Sequence, residues 1–258
     1  MADYQKIGAG YDKRRTADPY LLKALIDCMN LNVGARIADI GAGTGNYSLA
    51  LANQGYLVEA IEPSKVMRKQ KNQSNSVNWH ASRAEDLPLS NDSMDGIICV
   101  LAFHHFSDPD RAIMEMNRVC PRGPIVIFTF DPRESDESWF SEYFPTVWNK
   151  AFFFFPPISE LILDLRNITG RKVSSTPFPL PKDLTDHFAG SGWNRPEIYL
   201  ENDFRMGMSP FASEDTDIIS YEVEHLRGEL LTGEWDKNYG FLRNIESYDL
   251  GYSFVCIE

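Results

Sequence analysis

The chain has 258 residues, 43% of them hydrophobic, and a formal net charge of −12 at pH 7. A chain of this length can bury one sizeable core, so we expect one domain with an insertion and not two domains. Residues 131–258 hold 11 basic and 23 acidic side chains and account for the whole net charge, which disfavours a nucleic-acid substrate because such binding depends on neutralising phosphates.

The first predicted elements are a helix and a strand that ends in a glycine-rich turn. Asp18 and Pro19 begin a helix that runs to about Leu31, because proline suits a first helical turn. The apolar run 37–40 then leads into glycines at alternate positions, and residues 47–52 continue at helical period. Strand, tight turn and helix in this order are typical of the first crossover of a nucleotide-binding α/β sheet. The glycines are Gly41, Gly43 and Gly45.

The spacing of these glycines argues against a dinucleotide ligand. The dinucleotide fingerprint is G-x-G-x-x-G, and Asn46 stands where its third glycine would be. Glycines in such a turn permit a positive φ or the close approach of a ligand. An acid, Asp39, also lies inside the strand, two residues before Gly41. The turn alone therefore leaves the ligand open but weakens an NAD(P) interpretation.

The second predicted strand, 57–62, ends in an acid. Glu62 is followed by Pro63 and Ser64, which begin a helix with Ser64 as its N-cap or in its first turn. The tip of a second parallel strand faces the ligand crevice at the carboxyl edge of the sheet. We therefore expect the two oxygens of Glu62 to accept both ribose hydroxyls of a nucleoside cofactor.

The remaining elements alternate between strand and helix as far as residue 130. Strands are predicted near 77–81, 95–101 and 124–130, with a helix over 110–119. This alternation indicates right-handed βαβ units and a parallel sheet. One further strand is predicted over 252–257.

A long segment, 132–195, does not fit a short connection and is dense in aromatic residues. We expect it to roof a substrate pocket; a packed helical core and contact with a membrane are the alternatives. The candidate walls are Trp139, Trp148 and Phe152 with the rest of the block to Phe155, and the candidate rim is Trp193 with Arg195.

Several motifs together resemble one enzyme family. The D-x-G-x-G-x-G turn at 39–45 resembles motif I of the class I S-adenosylmethionine (SAM) methyltransferases. The run 82–95, S-R-A-E-D-L-P followed by D-S-M-D, is similar to a loop of their small-molecule members of the ubiquinone and menaquinone type, and 102–106, A-F-H-H-F, is similar to their His-His segment. The resemblance covers roughly residues 4–131. One departure is Arg83, which stands where many relatives have an acid.

The resemblance implies the fold and the domain organisation. A Rossmann-like, seven-stranded, mostly parallel α/β sheet is expected, with helices on both faces, an antiparallel last strand and a helical, aromatic insertion after strand five. The single domain would comprise a SAM-binding core over 1–131, a substrate-side insertion and cap over 132–250, and the last sheet strand over 251–258.

The resemblance also implies a cofactor and its contacts. SAM carries a zwitterionic methionine half, whose ammonium a carboxylate near the turn can hold and whose carboxylate open backbone N–H groups can hold. The N-terminal stretch 4–15 resembles the family's helical lid over the cofactor. The expected cofactor-binding residues are Tyr11, Asp39, Gly41, Ala42, Gly43, Gly45, Glu62, Pro63, Ala84, Glu85 and Leu101, with Ala84 and Glu85 reading the adenine edge.

Methyl transfer requires little of the protein except that it hold the two reactants in position. A sulfonium is a good leaving group, so the main requirement is a nucleophile held about 3 Å from the methyl carbon. An amine or thiolate needs no base, whereas a hydroxyl or an acidic carbon does. His104 and His105 are the candidate bases, and shaping the pocket or capping the next turn is the alternative role. Which of them faces the pocket is not readable from adjacent positions.

The sequence thus predicts a SAM-dependent methyltransferase that acts on a small, largely apolar or aromatic metabolite and releases S-adenosylhomocysteine. No metal is expected, since no cluster has ligand spacing. The sequence contains no apolar run of about 18 residues, so no membrane span is predicted. Scattered cysteines and the lack of a secretory leader favour the cytoplasm. The alternatives are an NAD(P)-binding oxidoreductase and a non-catalytic SAM-binding protein. The acceptor atom and the oligomeric state are left open.

Overall fold

A computed structural model describes residues 15–69, 76–135, 138–212 and 214–258. Tyr11 and most of the predicted lid lie outside these residues. The strands are β1 Arg36–Ile40, β2 Leu57–Ile61, β3 Val77–His80, β4 Gly96–Val100, β5 Ile125–Phe130, β6 Val173–Pro177, β7 Leu180–Pro181, β8 Ser247–Tyr248 and β9 Tyr252–Ile257.

Helices occupy much of the rest of the described chain, and no helix in this part is both long and apolar enough to cross a membrane. They are α1 Pro19–Met29, α2 Asn46–Asn53, α3 Lys65–Lys69, α4 Pro109–Val119, α5 Trp139–Tyr143, α6 Pro145–Phe154, α7 Ile158–Thr169, α8 Asn202–Arg205, α9 Ser209–Ala212, α10 Thr216–Thr232 and α11 Glu234–Tyr239, with 3-10 turns at Phe103–His105, Pro132–Ser135, Pro196–Leu200 and Gly240–Asn244.

Within the described residues, seven strands pair into one sheet in the order β3-β2-β1-β4-β5-β9-β6. Strands β1 to β5 pair in parallel, and β9 is antiparallel to both of its neighbours. The predicted Rossmann-like, mostly parallel sheet is confirmed. The direction in which successive strands are added to the sheet reverses between β1 and β4. From β1 the chain continues to β2 and β3 on one side, and from β4 it continues to β5 on the other. Such a reversal opens a crevice at the carboxyl ends of the strands.

The sheet's outer strand β6 was not predicted, and it corrects the expected extent of the insertion. Its sequence, V-S-S-T-P, is largely exposed after the buried Val173, so it has no apolar run to mark it as a strand. The preceding helix α7 buries Ile158, Leu161 and Leu165 against the sheet side that carries α4. Residues 158–177 therefore pack with the sheet and divide the expected insertion into two pieces, 132–157 and 178–250.

The pleat of the strands separates two hydrophobic cores. Along β1, Ile37 faces one core and Ala38 faces the other, as the two-residue period of a strand requires. The Ile37 side also packs α1 and most of the aromatic insertion, and its largest fully buried side chains include Trp139, Trp193 and Trp235. The insertion is thus a continuation of the core over one face of the sheet.

Asp18 ties the first helix to the second piece of the insertion. It is the N-cap of α1, which begins where predicted: Oδ1 accepts from Tyr20 N at 2.9 Å and from Leu21 N at 3.1 Å. Its Oδ2 accepts from Thr185 N at 2.8 Å and from Thr185 Oγ1 at 3.0 Å. The carboxylate is fully buried, so these four bonds are its compensation for lost hydration.

Asp18→Ala is expected to lower the free energy of unfolding by at least about 2 kcal/mol, because the variant loses a helix cap and the two hydrogen bonds that join α1 to Thr185. Urea denaturation monitored by circular dichroism measures it. Asp27→Ala on the same helix is the control, because that side chain is 61% exposed and its loss should be nearly neutral. Equal effects of the two substitutions would contradict this role for Asp18.

Candidate active site

The three glycines after β1 all have a positive φ, of 78° at Gly41, 58° at Gly43 and 84° at Gly45. They differ in what a side chain would meet. A Cβ at Gly41 would lie 2.5 Å from Ala102 Cβ, and one at Gly45 would lie 2.5 Å from Trp79 Cζ2. At Gly43 the nearest atom is Met67 Cε at 3.9 Å. Two of the glycines thus permit packing within the protein, and Gly43 faces an open cleft.

A cleft of about 470 Å³ lies at the carboxyl ends of β1, β2 and β4, where the strand order predicts a ligand site. Sequence reasoning missed Arg15, Met67, Phe106 and Asp186, which also line it. Gly45 does not line it. The predicted cofactor residues that do are Asp39, Gly41, Ala42, Gly43, Glu62, Pro63, Ala84, Glu85 and Leu101.

Asp39 lies at the floor of this cleft and is only 2% exposed. Its Oδ2 accepts from Ser48 Oγ on α2 at 2.5 Å. Burial raises the pKa of the carboxyl group to about 7, because desolvation penalises the charged form. A cation placed beside it would restore its charge, so the position suits an ammonium group.

Glu62 follows β2 and is held in one orientation by the backbone. Its Oε2 accepts from Gly43 N at 3.0 Å, and its Oε1 accepts from Ser64 N at 2.7 Å. Burial raises the pKa of this carboxyl group as well. Since a carboxylate offers about four lone-pair sites, each oxygen retains one for a ligand. Two hydroxyl donors side by side, as on a ribose, match that geometry.

Glu85 lines the cleft but is engaged by the neighbouring turn. Its Oε1 accepts from Ser107 N at 2.8 Å, from Ser107 Oγ at 2.7 Å and from Asp108 N at 3.2 Å. These bonds anchor the residues before α4 to the loop that carries Ala84. They occupy Oε1, whereas Oε2 lies 3.9 Å from Arg83 Nε, and Ala84 beside it is buried.

A second cavity, of about 340 Å³, lies beside the cleft and is mainly aromatic. It is formed by the end of β5, by α6, by residues 188–190 and by the start of β9. Lys150 on its wall is paired with Glu214. The aromatic residues that line it are Phe130, Phe140, Trp148, Phe154, Phe155, Phe188 and Tyr252.

The predicted walls are corrected in part. Trp148 lines the aromatic cavity, but Trp139 does not: it is 1% exposed, and its Nε1 donates to Trp193 O at 2.8 Å. Phe152 does not line it either; its ring lies 5.2 Å from the guanidinium carbon of Arg133. Trp148 and Ala151, three positions apart on one face of α6, line the cavity, whereas Phe152 does not line it although it also lies about one helical turn from Trp148.

The predicted rim is also corrected. Trp193 is 1% exposed and donates from Nε1 to Pro181 O at 3.3 Å. Arg195 is engaged by the carbonyl groups of Leu184 and Ser191. Both side chains stabilise the second piece of the insertion from within, which adjacent positions in a sequence could not indicate.

Among the residues that the structure describes, Arg15, Leu101 and His105 line both the cleft and the aromatic cavity, which meet there. Leu101 has a φ of 49°, a rare conformation for a residue with a branched side chain and one that often marks a functional site. Its N–H donates to Phe128 O at 2.9 Å, which holds the strained turn at the end of β4.

Arg15 at this junction belongs to a buried polar cluster. Its Nη2 donates to Asp186 Oδ2 at 2.9 Å, and Tyr47 Oη donates to the same oxygen at 3.0 Å. Asp186 is fully buried, so the guanidinium and the phenol compensate its charge. The cluster joins the start of the described chain, α2 and the insertion at one point between the two cavities.

Both histidines of the 3-10 turn line the aromatic cavity, and only His105 also lines the cleft. Their rings are 3.8 Å apart, and the ring of His104 lies 4.1 Å from that of Phe155. His104 Nδ1 is buried with no hydrogen-bond partner among the described residues. Burial lowers the pKa of His104 well below its usual range and that of His105 to about 4. Both imidazoles are therefore neutral at neutral pH.

No cluster of three or more metal-ligating His, Cys, Asp or Glu side chains occurs in the part of the chain that the structure describes. Among the described residues, the charged groups and imidazoles that line the two cavities are carboxylates held by N–H and O–H donors, neutral imidazoles, the paired cations Arg15 and Lys150, and Arg83. This set can bind a zwitterionic nucleoside in the cleft and an uncharged aromatic molecule beside it.

Comparisons with known proteins agree with this geometry. A family model described as a methyltransferase domain matches residues 38–128. A crystal structure of a putative methyltransferase from an antibiotic biosynthesis pathway of Anabaena variabilis is 43% identical, with a TM-score of 0.92 over 95% of this chain and 99% of that chain.

Two curated relatives match more locally. An uncharacterized methyltransferase of Mycobacterium tuberculosis is 30% identical over 140 residues, which is 53% of this chain and 54% of that protein. A demethylmenaquinone methyltransferase of Paenarthrobacter aurescens is 32% identical over 110 residues, which is 42% of this chain and 44% of that protein. The chain thus spans about half the length of the curated relatives it matches. From the near-complete match to the Anabaena structure and from the family model, the chain belongs to the SAM-dependent methyltransferases.

Proposed function

We propose that the chain transfers the methyl group of SAM to a small, largely apolar or aromatic metabolite by in-line displacement. The observation that carries this is the junction of Arg15, Leu101 and His105, where a cofactor cleft opens into an aromatic cavity. A nucleophile must approach the methyl carbon to about 3 Å from the side opposite the sulfur. Two cavities that meet at these residues provide such an approach.

The proposed cofactor orientation follows from the charges of the cleft. Asp39, whose ionisation a neighbouring cation would favour, is assigned to the methionine ammonium group, and Glu62 to the two ribose hydroxyls. Gly43 lets the backbone approach the methionine half without a Cβ. The base then lies beyond Glu62, against Pro63 and Ala84, and the sulfonium lies towards Leu101.

The acceptor class is supported by the lining of the aromatic cavity. Its cationic side chains, Arg15 and Lys150, are paired with Asp186 and Glu214, so they favour no additional anion. Together with the acidic second half of the chain, this disfavours phosphorylated acceptors. The Anabaena relative is described as belonging to an antibiotic biosynthesis pathway, which is consistent with a small aromatic product. The demethylmenaquinone relative matches too little of the chain to extend its acceptor to this protein.

His105 is the proposed base for an acceptor that carries a hydroxyl group. It alone of the two histidines reaches both cavities, and its neutral imidazole can take a proton as the oxygen attacks. His104, with its unpartnered Nδ1, is assigned to orienting the acceptor by accepting a hydrogen bond. A non-catalytic SAM-binding protein is the alternative, and only turnover distinguishes it from an enzyme.

We also propose one methyltransferase domain, in which 15–131, 158–177 and 251–258 form the SAM-binding core and the intervening pieces form the acceptor side. The cytoplasm is the proposed compartment, because all four cysteines are free thiols in the structure and free thiols persist in a reducing environment.

Glu62→Gln is expected to weaken S-adenosylhomocysteine binding by about 1.5–3 kcal/mol, or roughly tenfold to a hundredfold, because one acceptor oxygen and the charge are lost. Titration calorimetry measures it. Glu59→Gln is the matched control: this acid lies on β2, three residues before Glu62, is bonded to His80 and Arg36, and does not line the cleft. An unchanged dissociation constant for a folded Glu62→Gln protein would remove the acid from the ribose site.

A screen for S-adenosylhomocysteine release tests the acceptor class. Dihydroxyarenes and aromatic amines are expected to support turnover, and catechol is expected to exceed its singly phosphorylated counterpart, which retains one free hydroxyl group. The reason is that the paired cations of the cavity offer no compensation for a phosphate. Faster turnover of the phosphorylated member of each pair would contradict the proposed acceptor class, and no turnover with any acceptor would favour the non-catalytic alternative.

Substituting two tryptophans distinguishes a residue that lines the aromatic cavity from a residue of the hydrophobic core. Trp148→Ala is expected to raise the KM for an acceptor from the screen about tenfold, the equivalent of one aromatic contact of about 1.5 kcal/mol, with unchanged affinity for S-adenosylhomocysteine. Trp139→Ala is expected to cost about 3–5 kcal/mol of stability and to leave that KM unchanged in the folded fraction. If the two variants behaved alike in kinetics and denaturation, the aromatic cavity would not be the acceptor site.

The pH dependence of turnover tests the base. Because burial lowers the pKa of His105 to about 4, the imidazole stays unprotonated down to about pH 5. At saturating SAM, where the ammonium group keeps Asp39 ionised, kcat/KM for a hydroxyl acceptor should therefore be flat from about pH 5 to pH 8. An exposed histidine would lose activity around its ordinary pKa of about 6.5. His105→Ala should lower kcat about a hundredfold, whereas His225→Ala, at a half-exposed ion pair with Glu229, should not. A midpoint near pH 6.5, or unchanged kcat in His105→Ala, would exclude this role.

A further inference from the structure

The end of the cleft beyond Glu62 is the proposed base subsite, and its charge is unusual for a site that holds adenine. It is lined by Pro63, Ser64 and Met67 on one side and by Arg83 and Ala84 on the other. Adenine presents an amino group at position 6, which needs an acceptor. A carboxylate could accept a hydrogen bond from this amino group. The lining of the subsite instead includes a guanidinium, that of Arg83.

The carboxylates that line the described part of the cleft are all engaged elsewhere. Asp39 is bonded to Ser48 near the glycine turn, and Asp186 is bonded to Arg15 and Tyr47 at the other end. Glu62 is held by backbone N–H groups at the ribose position. Glu85, which lines the cleft beside Ala84, has its Oε1 on the turn of Ser107 and Asp108, and its Oε2 lies 3.9 Å from Arg83 Nε. The free oxygen of Glu85 is therefore placed beside the donors of Arg83.

Arg83 is the charged side chain that this subsite does offer. Its side chain is 60% exposed, and the ion pair it forms is a long one, 3.9 Å from Nε to Glu85 Oε2. An arginine presents only donors, in a planar fork. That fork matches the pair of acceptors O6 and N7 on one edge of a 6-oxopurine, and it matches adenine less well because the 6-amino group is itself a donor.

We propose that this subsite accepts a 6-oxopurine, so that the chain binds the hypoxanthine form of the cofactor, S-inosylhomocysteine, at least as tightly as S-adenosylhomocysteine. The inference rests on the proposed orientation of the cofactor in the cleft. Arg83 is then the residue that determines base specificity: its guanidinium donates to O6 and N7, while Glu62 and Asp39 hold the ribose and the amino acid in either ligand.

Calorimetry with the two thioethers, S-inosylhomocysteine and S-adenosylhomocysteine, tests the proposal. For the wild-type protein the ratio of their dissociation constants (hypoxanthine form over adenine form) should be 1 or less. In Arg83→Asp, which replaces donors with acceptors at the same position, the ratio should rise at least about tenfold, the usual discrimination of one good bidentate pair. Arg122→Asp is the control; its side chain is 79% exposed, and it pairs with Asp92 outside the cleft.

The outcomes separate this inference from the proposed function. A wild-type preference for the adenine form of tenfold or more, unchanged in Arg83→Asp, would overturn the role of Arg83 and leave the cofactor cleft intact. If Glu62→Gln left the binding of both thioethers unchanged, or if neither thioether bound, the cofactor orientation itself would fail, and the inference with it. A ratio of 1 or less that rises in Arg83→Asp alone supports both.

Discussion

The structure depends on one constraint, the reversal of strand order between β1 and β4. β1 and β4 are parallel neighbours, but the connection after β1 crosses one face of the sheet and the connection after β4 crosses the other. Neither connection covers the carboxyl ends of the two strands, which leaves a crevice there. The glycine turn after β1 and the strained Leu101 after β4 form the two sides of the resulting opening. The polar groups of the candidate site lie around this opening.

Around the opening, the protein holds its charged groups in position before any ligand binds. Glu62 is fixed by Gly43 and Ser64, and Asp39 by Ser48. Arg15 and Asp186, which are 171 positions apart, close the side between the cleft and the insertion. Pre-organised groups of this kind reduce the cost of binding and orient the reacting atoms. Methyl transfer needs little else, which is consistent with a site that has few candidate catalytic side chains.

Much of the cleft could be predicted from the sequence because its residues belong to local patterns. The glycine turn, the acid at the end of β2 and the cap at Asp18 each depend on a few neighbouring positions. The aromatic segment could not be resolved in this way: Trp139 and Trp148 lie nine positions apart, yet one is in the core and the other lines a cavity. Strand β6 was missed because an exposed edge strand has no apolar run, and the pair of Arg15 and Asp186 because only the folded chain brings them together.

A crystal structure of the protein with S-adenosylhomocysteine would show whether the SAM cleft and the acceptor cavity meet at Leu101 and His105. We expect both ribose hydroxyls on Glu62, with the sulfur at the junction and facing the aromatic cavity. A thioether bound with its sulfur turned to solvent, or with its ribose away from Glu62, would rule out this arrangement.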